Sequence, residues 1–197
     1  MHTAIRIICR NLERSIEAKK RLLENPDLQQ EFSKAVDLVL DSYQAGGRLY
    51  IAGNGGSAAD AQHLAAEFVC RLSKDRASLP AEALTTDSSI LTAIGNDYGY
   101  DVVFSRQIEG KLTEHDVFLG ITTSGNSPNI VKALQACREM KIPSIVFTGN
   151  DGGEVRNWCD VCVMAPGEYT SQVQEVHLVL EHTLCECVEA ELFGFEL

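Results

Sequence analysis

The chain has 197 residues, with 17 Lys and Arg against 28 Asp and Glu, so its formal net charge is −11. A content of 45% hydrophobic and 23% charged residues suits one globular domain burying roughly 70% of its unfolded surface, and excludes the disordered class. A field of that sign disfavours nucleic acid and obliges an anionic substrate to find strong local donors, while no apolar run approaches the ~20 residues of a membrane helix.

Arg6, Arg10, Glu13 and Arg14 interrupt the first apolar residues, which leaves no signal-peptide core and predicts a cytoplasmic protein. Ile5, Ile8, Leu12 and Ile16 recur at helical spacing and predict a helix over 3–24. Asn25-Pro26 is a cap followed by a first-turn proline, opening a second helix through Leu28, Phe32, Val36, Val39 and Tyr43 that stops at Gly46-Gly47. These two helices either cover one sheet face or meet a partner chain, and self-association is the favoured reading.

From Gly47 the rhythm changes. Strands are predicted at Leu49–Ala52, Ala81–Thr85, Val117–Thr122, Ser144–Thr148 and Val161–Met164. Helices are predicted near 58–72, 88–95, 98–112, 128–140 and 153–158, and a long last one from Ser171 to Phe193. Strand–helix alternation of this kind predicts an α/β fold, a single doubly wound parallel sheet with helices on both faces. One domain is expected over 1–197, as a helical segment 1–46 and an α/β core 47–197. Ligands in such sheets bind beyond the carboxyl ends of the strands. There lie Gly53-Asn54-Gly55-Gly56-Ser57, Thr122 to Ser127, and Gly149-Asn150-Asp151-Gly152-Gly153.

The first loop loosely matches a dinucleotide fingerprint, with Asp87 in the place of the ribose-binding acid. Polar Asn54 and Ser57, and the long polar stretch from Ser57 to Leu79, count against that. The second loop brings four hydroxyls, Thr122, Thr123, Ser124 and Ser127, to a strand end ahead of Pro128. Hydroxyls and helix-terminal N–H groups bind phosphate without adding cations, whereas a plain helix cap needs only one such residue. His63 and Glu67 are four apart on one helical face, the spacing of two metal ligands, of an oriented carboxylate base, or of a simple surface pair. The last helix adds Gln174, Glu175, His177, Glu181 and His182 beside an apolar stripe, where titratable residues are expected at the boundary with water. Seven cysteines are an odd number and read as reduced thiols. Cys159 and Cys162 lack a second pair at metal spacing and read as small residues of a strand region.

Four ordered motifs, Gly53 to His63, Leu91 to Gly99, Thr123 to Ser127, and Gln174-Glu175-x-His177, together resemble the phosphosugar isomerase (SIS) domain. Within it they resemble the sedoheptulose-7-phosphate isomerase, or phosphoheptose isomerase, family. The resemblance implies a flavodoxin-like three-layer fold, a homotetramer, and aldose–ketose isomerisation of a seven-carbon sugar phosphate at the start of heptose supply for lipopolysaccharide or capsule. It implies Glu67 and His182 as the catalytic pair. It places Asn54, Gly55, Gly56, Glu67, Asn96, Asp97, Thr122, Thr123, Ser124, Ser127 and Gln174 at substrate-contacting positions. It places one zinc ion on His63, Glu67, Gln174 and His182, as in some members. Gln174 and His182, about 12 Å apart along a straight helix, reach one ion only if their side chains lean together. Two positions depart from the family, Thr122 where serine is common and Gln172 where a basic residue is frequent. A non-enzymatic SIS regulator that binds the replication initiator, or an isomerase for another phosphosugar, is the alternative. The presence of both Glu67 and His182 favours the heptose enzyme.

Overall fold

The computed structural model describes residues 2–149 and 151–195; Asn150 of the third loop lies outside them, as do Met1, Glu196 and Leu197 at the ends of the expected domain. Five parallel strands, β1 (Leu49–Gly53), β2 (Ala81–Ala83), β3 (Val117–Thr122), β4 (Ser144–Gly149) and β5 (Val161–Ala165), form one sheet in the order β2-β1-β3-β4-β5. Leu49 pairs in register with both Ala81 and Val117, Phe118 with Ser144, and Ile145 with Val161. Among the described residues seven α-helices surround it: α1 (Thr3–Leu23), α2 (Pro26–Gln44), α3 (Gly56–Val69), α4 (Ser88–Asp97), α5 (Ser105–Lys111), α6 (Pro128–Met140) and α7 (Thr170–Phe193).

Successive strand residues point to opposite faces, so each strand feeds two cores. Leu49, Ile51, Leu119 and Phe147 join Val39, Leu64, Phe68 and Leu184 from α2, α3 and α7. Tyr50, Ala52, Phe118 and Val146 join Ile108, Ile130 and Leu134 from α5 and α6. Burial on both faces explains why β1, β3 and β4 read as continuous apolar runs, and the sheet is doubly wound as expected.

The two leading helices are buried unequally. α2 buries Ala35, Val36 and Val39 against the first core. α1 buries only Ala18, and Ile5, Ile8, Leu12 and Ile16 each stand at least half exposed.

Three expectations need correction. The predicted helix over 98–112 is two pieces, a 3₁₀ turn (Tyr100–Val102) and α5, because Gly99 at φ +93° turns the chain and Val103 and Phe104 are drawn into the second core. The segment 153–158 is a 3₁₀ turn over Glu154–Asn157. The helix predicted to reach residue 72 ends at Val69, where Arg76 takes the last carbonyls: its Nη1 donates to Phe68 O and its Nη2 to Glu67 O, both at 2.8 Å. Arg76 is itself buried against Glu189, with Nε 2.7 Å from Oε1.

Candidate active site

β1 is flanked by β2 on one side and β3 on the other, so consecutive connections leave in opposite directions at the β1/β3 border. That border opens a crevice at the carboxyl end of the sheet. The first two sequence loops line it. Asn54 and Asn129 exchange amide hydrogen bonds across it, Asn54 Nδ2 to Asn129 Oδ1 at 2.9 Å and the reverse at 2.8 Å. The hydroxyl of Tyr100 donates to Asn54 Oδ1 at 3.3 Å. Gly55, at φ +56°, occupies the N-cap of α3, which has no side-chain cap. In its first turn Ser57 N donates to Asn54 O and Ala58 N to Gly55 O, while the Gly56 N–H makes no hydrogen bond among the described residues and is left for a ligand.

The hydroxyl-rich loop is more structured than its composition suggests. Thr122 is buried, and its hydroxyl shares a hydrogen bond with Ser127 Oγ at 3.0 Å. Ser127 is the N-cap of α6 yet makes no capping bond, which argues against the loop being a simple helix cap. Ser124 Oγ accepts from Asn126 N at 3.2 Å, and no hydrogen bond among the described residues engages the Thr123 hydroxyl. Gly125, at φ +67°, lies so close to the third loop that a Cβ there would fall 2.2 Å from Gly152 O. The loop thus braces itself and leaves N–H groups and two outer hydroxyls for an anion. Thr122 supplies the hydroxyl that a serine would.

α3 and α7 carry the titratable groups. His63 Nε2 and His182 Nε2 stand 2.9 Å apart, each 119 residues from the other in the chain, and the rings meet edge to face. Glu67 Oε1 lies 3.7 Å from His63 Nε2, and the Glu67 side chain is only 19% exposed. Gln174 lies two helical turns before His182, and its Nε2 donates to both oxygens of Asp60, at 3.0 and 2.9 Å. The sequence reading missed Asp60, although Asp60, His63 and Glu67 at spacings of three and four share one helical face. Burial raises the pKa of Asp60, while the Gln174 hydrogen bond and nearby His63 oppose that rise.

Asn96 and Asp97 close α4 and bond to each other, Asn96 Nδ2 to Asp97 Oδ1 at 2.8 Å. Both are exposed, and no hydrogen bond among the described residues joins either to the other candidates. Gln172 is drawn into the fold: its Oε1 accepts from Glu168 N and Tyr169 N, a capping arrangement at the start of α7.

Two titratable residues of α7 contradict the expectation of a water-facing boundary. His177 is fully buried, bonded through Nε2 to Thr148 O at 3.1 Å, and burial pushes its pKa down to about 4. Glu181 is also fully buried, neither of its oxygens finds a hydrogen-bond partner among the described residues, and burial with the charge of Asp60 pushes its pKa up to about 8.

The donors His63, His182 and Glu67 fit zinc in kind, while the two imidazole nitrogens meet in a hydrogen bond of 2.9 Å. As the side chains stand, no group of three or more His, Cys, Asp or Glu among the described residues is arranged to hold a metal ion. Gln174 is turned onto Asp60.

Comparison with known proteins settles the family. The SIS domain family matches residues 14–149. A phosphoheptose isomerase of Clostridium acetobutylicum is 47% identical over 183 residues, 93% of each chain. The chain belongs to the phosphoheptose isomerase family of SIS-domain proteins. Another member, from Burkholderia pseudomallei, is 52% identical over 161 residues, 82% of each chain. The solved phosphoheptose isomerase of Neisseria gonorrhoeae superimposes with a TM-score of 0.89 at 40% identity, covering 95% of this chain and all of that one. Membership accounts for the doubly wound sheet.

Proposed function

We propose that this isomerase converts sedoheptulose 7-phosphate to D-glycero-D-manno-heptose 7-phosphate, a ketose to an aldose, through an enediol. The observation that carries the reading is the meeting of Glu67, His63 and His182 from two helices, α3 and α7. Moving a carbonyl between C1 and C2 takes a proton from one carbon and returns it to the next. Glu67, a half-buried carboxylate, performs both carbon transfers, and His182 moves protons at the sugar oxygens. The His63 imidazole beside Glu67 orients that carboxylate. The phosphate rests on Thr123, Ser124, Ser127 and the open N-terminus of α6, so a chain of charge −11 binds an anion through local dipoles. Asn54, Gly55, Gly56, Asn96, Asp97, Thr122 and Gln174 complete the substrate surface.

The reading extends to one zinc ion per chain, held by His63, Glu67 and His182, with Gln174 as fourth ligand. Zinc would polarise a sugar oxygen as a Lewis acid. It extends also to residues 1–197 working as one SIS unit in a cytoplasmic homotetramer formed through the exposed face of α1. The product would feed heptose units of lipopolysaccharide or capsule. No helix among the described residues is long and apolar enough to cross a membrane.

The test is to incubate the purified protein with sedoheptulose 7-phosphate and follow aldose formation, beside Glu67→Gln. That variant keeps size and hydrogen bonding but cannot take the carbon-bound proton, so kcat should fall on the order of 10²-fold or more with the fold intact. Unchanged kcat would remove Glu67 from the role.

A further inference from the structure

Glu67 sits in the last turn of α3, where a helix has no partners of its own for its carbonyls. Side chains tilt toward a helix N-terminus, so Glu67 reaches back to His63. The direction of its carboxylate depends on how firmly that turn is held. Cys70 N closes on Ala66 O at 2.8 Å, and the next two carbonyls, of Glu67 and Phe68, are met from outside the helix by Arg76.

The Arg76 side chain is wholly removed from water and makes four hydrogen bonds, to those two carbonyls, to Ala77 O at 3.0 Å and to Glu189 Oε1. The same Glu189 oxygen accepts from Leu72 N at 3.1 Å, and the ring of Phe193 lies 5.8 Å from the guanidinium carbon. Glu189 stands seven residues after His182, two turns on and within about 20° of the same face of α7. The helices α3 and α7 are thus tied twice, where His63 meets His182 and where Arg76 joins the end of α3 to Glu189. Glu67 has its side chain beside the first tie and its main chain in the second.

Cohesion alone does not call for such a group. Taking two charges out of water is costly, and packed apolar residues of similar volume hold helices together as well or better. What a guanidinium adds is a rigid fork, able to fix two adjacent carbonyls and the carboxylate of another helix in set directions.

We propose that Arg76, anchored by Glu189, is a positioning residue that sets the last turn of α3 against α7 and so aims the Glu67 carboxylate at the substrate carbons. This rests on the proposed function in taking Glu67 as the base. Arg76 acts through the main chain of that base.

The test is a double-mutant cycle in kcat on sedoheptulose 7-phosphate, with a thermal melt of each variant. Arg76→Lys keeps a cation for Glu189, but an ammonium is a point charge and cannot also span both carbonyls. Misplacing a reacting group by about 1 Å can cost about 10²-fold in rate, so a partial loosening of the turn should lower kcat about tenfold with KM little changed. Placed on Glu67→Gln, where no base remains to be aimed, the same substitution should lower kcat by less than about twofold. A purely structural role, which reduces the fraction of active protein, would lower kcat equally in both backgrounds and overturn the proposal. So would Arg76→Lys with the parent's kcat. Should Arg76→Lys fail to fold, Arg76→Gln/Glu189→Gln replaces it in the cycle, since removing both charges leaves neither buried alone. If Glu67→Gln by itself kept full kcat, the assignment of the base would fall, and this inference with it.

Discussion

Glu181→Gln measures how much a buried carboxyl, unpartnered among the described residues, costs this fold. The group ordinarily titrates at 4.5 and is pushed up to about 8, first by burial and then by the charge of Asp60. Above pH 4.5 the unfolded chain has released this proton, while the folded chain holds it until about pH 8. The folded state therefore loses stability as pH rises through that window, by about 1.4 kcal/mol for each pH unit. Between about pH 5 and about pH 7.5 the loss amounts to roughly 3 kcal/mol, a large share of the 5–15 kcal/mol typical of a domain. Glutamine keeps the shape and cannot ionise, so the variant lacks this loss. Urea unfolding followed by circular dichroism, at one protein concentration so that self-association contributes equally, should show the variant gaining on the parent by roughly 3 kcal/mol across that range. His177, buried neutral with its pKa near 4, destabilises both proteins as pH falls below its ordinary value of 6.5 and cancels in the difference. A stability difference that stays constant with pH would refute the reasoning, because Glu181 would then be ionised in the fold with its charge compensated.

Ser124→Ala combined with Ser127→Ala should raise KM for the sugar phosphate, since each hydrogen bond to a charged group contributes about 1.5–3 kcal/mol; an unchanged KM would reduce the loop to a structural turn. Protein purified without chelator should carry close to one zinc per chain by elemental analysis, and His63→Ala should lower that content with the melt little changed; metal-free protein of full activity would leave Glu67 and His182 as an acid–base pair working alone. Leu12→Glu, at a side chain 56% exposed on the apolar stripe of α1, should break the assembly, and sedimentation of the unmodified protein as a monomer at micromolar concentration would remove α1 as an interface.

Much of this architecture was legible in the sequence because its signals are local. Asn25 accepts from Leu28 N as the cap ahead of Pro26, and the first loop gives way to a helix at Gly56. The runs at Val117–Thr122 and Ser144–Gly149 are apolar on both faces because each strand lies between two helical layers. Strand–helix alternation then placed the Asn54 and Thr123 loops at the same end of the sheet, and the four-residue spacing put His63 beside Glu67 before any contact was known.

Contacts between distant segments depended on the tertiary structure. Helical spacing says which residues share a face and nothing about what that face meets. Nothing near Asp60 in the chain announces Gln174, 114 residues away, and nothing near His63 announces His182. Gln172 and Gln174 are chemically identical and two residues apart, yet one caps α7 and the other leans over Gly56, because successive helical positions point some 100° apart. Glu181 and His182 are neighbours with opposite fates for the same reason: one faces the core and stays protonated near neutral pH, the other is exposed and meets His63. The residue types and their periodicity determined which elements form and which ends carry the loops. The packing of α7 across α3 determined which polar groups lose water and which meet, and those two facts set the charge state and direction of each group in the site.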